Sequence, residues 1–251
     1  MDELILIGIG TGNPDHITRQ GEAALRRADA VLIPRKGAGK GDLAELRVEM
    51  CRAVLGSEDK IIPVDLPVRD AGGDYHQGVN DWHDAIAAAW SAALAANGSP
   101  KTVAMLIWGD PSLYDSSLRI AARLSPKPKT TVIPGITALQ ALTAAHAIPL
   151  NEVNAPVLIT TGRQLRDHGW PQGADTVAVM LDGECSFQML EPKGVDIWWG
   201  AYLGMDNELL FAGQLADVCD EIVAARAAAR QAHGWIMDIY LLRRTNCAET
   251  V

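Results

Sequence analysis

Glu3-Leu4-Ile5-Leu6-Ile7-Gly8-Ile9-Gly10-Thr11-Gly12-Asn13-Pro14 begins as an apolar run and stops at alternating glycines. A run of β-branched and leucine residues halted by glycine reads as a buried parallel strand feeding a loop, and such strand ends are where open α/β sheets take ligands. A dinucleotide is the first candidate. It requires Gly-x-Gly-x-x-Gly, with the third glycine packed against a helix whose N-terminus holds the pyrophosphate. Here the spacing is Gly-x-Gly-x-Gly, Asn13-Pro14-Asp15 follows, and helical periodicity starts only near Thr18. The next apolar run, Ala30-Val31-Leu32-Ile33, ends in Pro34-Arg35-Lys36 rather than in an acid for a ribose hydroxyl. Arg35 keeps open an NADP phosphate, and with it a reductase.

Outward from this strand the pattern repeats. Strands are expected near 4–9, 29–33, 60–64, 102–108 and 130–133, alternating with helices near 18–28, 42–55, 77–96, 111–124 and 137–147. That alternation is the signature of a parallel sheet. Pro149 through Pro156 breaks it, with proline at both ends, and reads as a linker between an N-terminal domain of 1–149 and a C-terminal domain of 150–251. Beyond the linker, strands are expected near 157–161, 176–181, 196–203, 208–212 and 235–243, with one long alanine-rich helix near 215–231. A hairpin through Gly204-Met205-Asp206-Asn207 makes this second sheet mixed. The fold class is therefore α/β, with two α/β domains.

Composition narrows the function. With 251 residues, 48% of them hydrophobic, the chain can bury a real core, and a formal net charge of -9 argues against a nucleic-acid surface. Cys51, Cys185, Cys219 and Cys247 show no Cys-x-x-Cys spacing, so neither a zinc site nor a disulfide framework is signalled, and inert thiols are expected. The first apolar run follows acidic residues and is too short to span a bilayer, so no signal peptide or membrane helix is expected, and a cytoplasmic location is the default. Asp74, His76, Asp81, His83 and Asp84 invite a metal reading, but the glycines at 72, 73 and 78 favour a substrate lid over 68–80, and no metal is expected. Trp198-Trp199 reads as core or as a dimer contact.

Two further stretches, Trp108-Gly109-Asp110-Pro111-Ser112-Leu113-Tyr114 and Val132-Ile133-Pro134-Gly135-Ile136-Thr137-Ala138, each fall where an expected strand meets a helix. Either alone has a bland reading, since aspartate caps helices and proline suits the first helical position. In this order behind the glycine loop, and across nearly the whole chain, they resemble the tetrapyrrole (corrin and porphyrin) methylase family. The resemblance implies S-adenosyl-L-methionine held in a cleft between two α/β domains, a tetrapyrrole as methyl acceptor, and a homodimer. That cofactor has no phosphate, which accounts for a glycine turn without a phosphate-binding helix terminus.

Carried over position by position, the resemblance implies cofactor contacts at Gly10, Thr11, Trp108, Gly109, Asp110, Leu113, Thr137, Ala138, Leu181 and Leu203. Thr11 stands where proline is frequent in the family, Trp108 where glycine is and Leu181 where methionine is, which suits contacts made by the main chain. Likeness over 33–47 and 74–83 implies a corrin C-methylation coupled to loss of an acetyl group. That second step requires a general base and oxyanion donors, for which Asp15, His16 and Asp110 are the candidate bases. The acceptor's carboxylates require local cations on an acidic protein, and Arg35, Lys36, Lys40 and Arg69 are expected to open onto one edge of the sheet. The competing functions are another methylase of the same family, an NADP-dependent reductase resting on Arg35 and Lys36, and a non-catalytic tetrapyrrole carrier.

Overall fold

A computed structural model of the chain describes residues 1–35, 42–69 and 75–245. The chain divides into two compact units, Met1–Thr137 and Ala138–Val251.

In the first unit the strands β1 (Glu3–Gly8), β2 (Ala30–Arg35), β3 (Ile61–Asp65), β4 (Thr102–Ile107) and β5 (Lys129–Ile133) alternate with α1 (Arg19–Arg27), α2 (Asp42–Leu55), α3 (Tyr75–Ala96) and α4 (Ser117–Ala121). They form one parallel sheet in the order β3-β2-β4-β1-β5. The opening strand lies inside it because it is apolar on both faces. Leu4 and Leu6 join the layer of Ile86, Trp90 and Ile120, and Ile5 and Ile7 join Leu25, Met50 and Cys51 on the other. Alternate side chains of a strand point to opposite faces, so one run feeds two cores, each fully buried residue contributing about 1.5–3 kcal/mol. α1 starts where Thr18 Oγ1 accepts from the Gly21 N–H at 3.0 Å.

The expected helix over 111–124 shrinks to α4. Asp110-Pro111 imitates a helix start, but of the Asp110 carboxylate only one oxygen is held by Ser112, the other by Gly135, and residues 111–114 form turns and bends. The expected domain boundary at 149/150 differs from the observed division at 137/138. The helix α5 (Ala138–Ala145) packs on the second sheet, where His146 Nε2 lies 3.1 Å from the Trp199 carbonyl oxygen.

The second unit carries β6 (Val157–Thr161), α6 (Gly162–His168), β7 (Thr176–Met180), β8 (Val195–Ala201), β9 (Leu209–Gln214), α7 (Leu215–His233) and β10 (Asp238–Arg244). The sheet order is β6-β7-β10-β8-β9, parallel only between β6 and β7, so it is mixed as expected, and β8 and β9 form the expected hairpin. The short helix α6 had no clear sequence signal, since only Gly162 and Leu165 are buried along it. Trp199 is fully buried in this unit's core, while Trp198 is half-buried with the Arg243 guanidinium 5.1 Å from its ring centre. Among the described residues no helix is long and apolar enough to cross a membrane.

Candidate functional site

Three loops leave the carboxyl ends of β1, β4 and β5, and all three are drawn together by main-chain contacts. Gly10 and Gly109 form an isolated bridge, the Gly109 N–H donating to the Gly10 carbonyl at 2.7 Å and the Gly10 N–H to the Gly109 carbonyl at 3.3 Å. A Cβ at Gly135 would sit 2.2 Å from the Gly109 carbonyl oxygen and 2.7 Å from the Gly8 main chain. Only glycine permits that approach.

Asp110 ties the same loops together through its side chain. One carboxylate oxygen accepts from the Ser112 N–H at 2.8 Å and the Ser112 hydroxyl at 2.5 Å; the other accepts from the Gly135 N–H at 2.9 Å. Burial works to raise this carboxyl, but the hydrogen bonds from Ser112 and Gly135 outweigh it and hold it below the ordinary carboxylate range. A carboxylate so saturated and so acidic is suited to clamping loops. It is poorly suited to taking a proton.

In the first loop, Gly10 adopts a φ of +76°, and a Cβ there would meet His16 Cβ at 2.2 Å, so the loop folds His16 back over the glycine. His16 Nδ1 lies 3.2 Å from the hydroxyl of Thr11, itself buried. Asp15 sits on the one-turn 3-10 helix Pro14–His16, its N–H donating to the Asn13 side chain at 2.8 Å and its own side chain exposed. Trp108, which stands where the family resemblance would put glycine, packs against the layer containing Ile5, Ile7 and Ile9. Leu113 is half-buried, its N–H donating to the Asp110 carbonyl at 3.2 Å, and Thr137 is half-buried with its Cα 3.9 Å from where a Gly109 Cβ would lie. The structure thus brings Gly10, Thr11, His16, Gly109, Asp110, Leu113 and Thr137 to one edge of the first sheet.

Of the four expected cations, Arg35 and Arg69 are described. Arg35, at the end of β2, is half-exposed and its Nε lies 3.4 Å from Asp65, an ordinary surface pair. Arg69 is exposed, and Lys36 and Lys40 lie outside the described residues. So do residues 70–74 of the expected 68–80 lid, Asp74 among them, and the side chain of His76. His83 is buried on α3, and its Nε2 has no hydrogen-bond partner among the described residues. Among the described residues no group of three or more His, Cys, Asp and Glu is placed to hold a metal. Burial pushes the Cys51 thiol up to about 12 and the Cys185 thiol up to about 11, which leaves both inert, and Cys247 lies outside the described residues.

In the second unit, Ala138 is half-buried at the start of α5. Leu181 is exposed and left-handed, with a φ of +53°, whereas Leu203 is buried and crowds Gly200. A network that sequence reading missed fixes the turn after Leu181. Asp182 accepts from the Ser186 N–H at 2.6 Å, the Ser186 hydroxyl at 2.9 Å and the Tyr240 hydroxyl at 2.6 Å. Its carbonyl accepts from Arg226 at 2.9 Å, and Arg226 forms a buried ion pair with Asp238 at 2.8 Å, an oxygen that also accepts from the Trp199 N–H at 3.1 Å. The only local signal was Asp182 four residues before Ser186. The Glu184 N–H, donating to the Asp182 side chain at 3.1 Å, is also local, while Tyr240 and Arg226 come from a distant strand and helix.

Comparison with known proteins agrees with this architecture. The sequence profile of the tetrapyrrole (corrin/porphyrin) methylases, a family that uses S-adenosylmethionine, matches residues 3–219. A precorrin-6A synthase (deacetylating) of Sinorhizobium sp is 48% identical over 97% of this chain and 96% of its own length. The crystal structure of a cobalamin-synthesis-related protein (CobF) of Corynebacterium diphtheriae is 34% identical with a TM-score of 0.81, covering 98% of this chain and all (100%) of that one. A uroporphyrin-III C-methyltransferase of Thermus thermophilus, solved in complex with S-adenosylhomocysteine, shares the fold at a TM-score of 0.58 and 16% identity, over 96% of this chain and 92% of that one. On the extent of the profile match and of these likenesses, the chain belongs to the tetrapyrrole (corrin/porphyrin) methylase family.

Proposed function

We propose that the protein is an S-adenosylmethionine-dependent C-methyltransferase of corrin biosynthesis that methylates C1 of precorrin-5 and releases the acetyl group there as acetate, giving precorrin-6A. The observation that carries this is the 48% identity to a deacetylating precorrin-6A synthase over nearly the full length of both chains. The reductase loses its support in the same comparison, and Arg35, its mainstay, is already paired with Asp65.

The residues present suit the methyl donor. The glycine loop after β1 offers main-chain groups, while the first helix terminus lies well downstream at Arg19 and is already capped by Thr18, so nothing there is prepared for a phosphate. The donor contacts we assign are Gly10, Thr11, Trp108, Gly109, Asp110, Leu113 and Thr137 of the first unit and Ala138, Leu181 and Leu203 of the second. When bound, S-adenosylmethionine supplies an electrophilic methyl group whose transfer needs only in-line positioning, which can contribute about 7–11 kcal/mol. Asp110 serves that positioning by holding the β4 and β5 loops together.

For the acetyl group, His16 is the preferred base, with Asp15 the alternative. His16 Nδ1 faces Thr11, which leaves Nε2 to take a proton from water as it adds to the acetyl carbonyl. Collapse of the tetrahedral adduct breaks the bond to the ring carbon, acetate leaves, and the electron pair stays on the ring as the nucleophile for the methyl group. A cytoplasmic homodimer is part of the same reading.

The test is turnover of precorrin-5 with S-adenosylmethionine, scored for acetate and S-adenosylhomocysteine together. One acetate per methyl transfer is expected, with both slowed in His16→Ala. Methylated product that keeps its acetyl group overturns the coupled reaction, and no turnover by the wild-type protein assigns it to another corrin methylation.

A further inference from the structure

The parallel sheet has a notch. β2 pairs with β4 only at Ala30 with Val103 and Val31 with Ala104, although β2 runs on to Arg35 and β4 to Ile107. Over the rest of its length β2 follows β3 instead. The chain leaves β2 for α2, whose Met50 and Cys51 join one core layer, and leaves β4 for α4, whose Ile120 joins the other. Neighbouring strands whose connections depart to opposite faces open a crevice at their carboxyl ends.

The Arg47 side chain reaches into this notch. Carbonyls of a strand alternate in direction, and that of Ile107 accepts from Ile9 on the β1 side, so that of Leu106 faces β2 and has lost its partner strand. Arg47, reaching in from α2, donates to it from Nε at 2.9 Å and donates from Nη1 to the Leu43 carbonyl at 2.9 Å. Nη2 makes no hydrogen bond to a described residue. Nor does any carboxylate among the described residues form an ion pair with Arg47, and burial pulls its basicity down, opposed by the more distant Asp115. Arg47 is half-buried, and a guanidinium matches a carboxylate through its fork of donors.

We infer that Arg47 is a specificity-determining contact of the substrate site, receiving one carboxylate of the tetrapyrrole in the notch between β2 and β4. This rests on the tetrapyrrole reading above. It replaces the exposed Arg35 as the main described cation for the acceptor, and it lies on the helix that directly follows Lys36 and Lys40 in sequence.

Arg47→Gln and Arg47→Lys separate this role from that of a plug for the notch. With precorrin-5, Arg47→Gln raises KM by about tenfold or more, the scale of a lost charge-assisted hydrogen bond, while the S-adenosylhomocysteine Kd stays within twofold of wild type, roughly the limit of a non-contacting change. Arg47→Lys, which keeps the charge and loses the fork, falls between. An unchanged KM in Arg47→Gln, or equal weakening of both ligands, overturns the assignment. A second arm uses phenylglyoxal modification of wild-type protein, with peptide mass spectrometry at Arg47 in the presence of uroporphyrin III or S-adenosylhomocysteine. Protection by the polycarboxylated tetrapyrrole alone supports the contact, and absence of protection overturns it. If precorrin-5 is not turned over at all, the reaction assigned above fails, and the protection experiment still decides the fate of Arg47.

Discussion

Asp110→Asn discriminates between a clamp and a base. In the wild-type protein both carboxylate oxygens are filled, one by the Ser112 N–H and hydroxyl, the other by the Gly135 N–H. An amide has one acceptor, so its NH2 must face either the Gly135 N–H or the Ser112 N–H. Gly135 cannot retreat, because its Cα already lies against the main chain of Gly8 and Gly109. One main-chain donor is left unsatisfied, which costs about 1–3 kcal/mol. Taking about 2 kcal/mol, the melting temperature should fall by roughly 4–8 °C for a chain of this size. The carboxyl is held below its ordinary range, so its contribution is full above its unfolded value, about pH 4, and is lost as the pH falls through its folded value. Asp110→Asn should therefore lose stability at pH 7 and show a shallower acid limb, while retaining measurable acetate release. Thermal unfolding across pH, with acetate assayed at the same pH values, tests this. A melting temperature indistinguishable from wild type, with acetate release abolished, would refute the clamp and restore Asp110 as the base.

Two other perturbations follow from buried charge. Burial, aided by Arg123 and Arg119 and opposed by Asp84, lowers the basicity of His83. The unfolded chain therefore takes the proton first, and stability should drop as the pH falls below about 6.5; His83→Leu should flatten that slope in denaturant titrations, and an unaltered slope counts against it. In the second unit, Asp238→Asn strands the Arg226 charge beside Trp199 and should lose about 3–5 kcal/mol, whereas Asp238→Asn with Arg226→Met should recover much of it. Chemical denaturation of the two variants measures the difference, and equal losses would contradict the pairing.

Much of the architecture was written locally. Leu4 through Ile7 are apolar on both faces, which only a strand covered on both sides tolerates, and the alternation with α1, α2 and α3 made the sheet parallel. The turn at Gly204 to Asn207 gave away the antiparallel hairpin β8–β9. The glycine spacing and the Gly109-Asp110 and Gly135 stretches marked the loops that do meet at one edge. These features are legible because periodicity and turn chemistry act between neighbours in the chain.

What sequence reading missed depends on groups far apart in the chain. Asp110-Pro111 looked like a helix cap because its nearest partners are local, but the bond that defines its role comes from Gly135, 25 residues away. Asp182 drew no attention in the sequence, because its partner Tyr240 lies 58 residues on. Arg47 carried no local signal of its place, and Leu106, 59 residues away, sets it in a notch that exists only because β2 and β4 part after two pairs. Hydrophobic pattern determines which face of an element is buried, and so the sequence determined the strands and helices. Which polar groups become neighbours depends on strand order and splay, and burial then sets whether a carboxylate is a clamp or a guanidinium awaits a ligand, so only the tertiary structure decided the site.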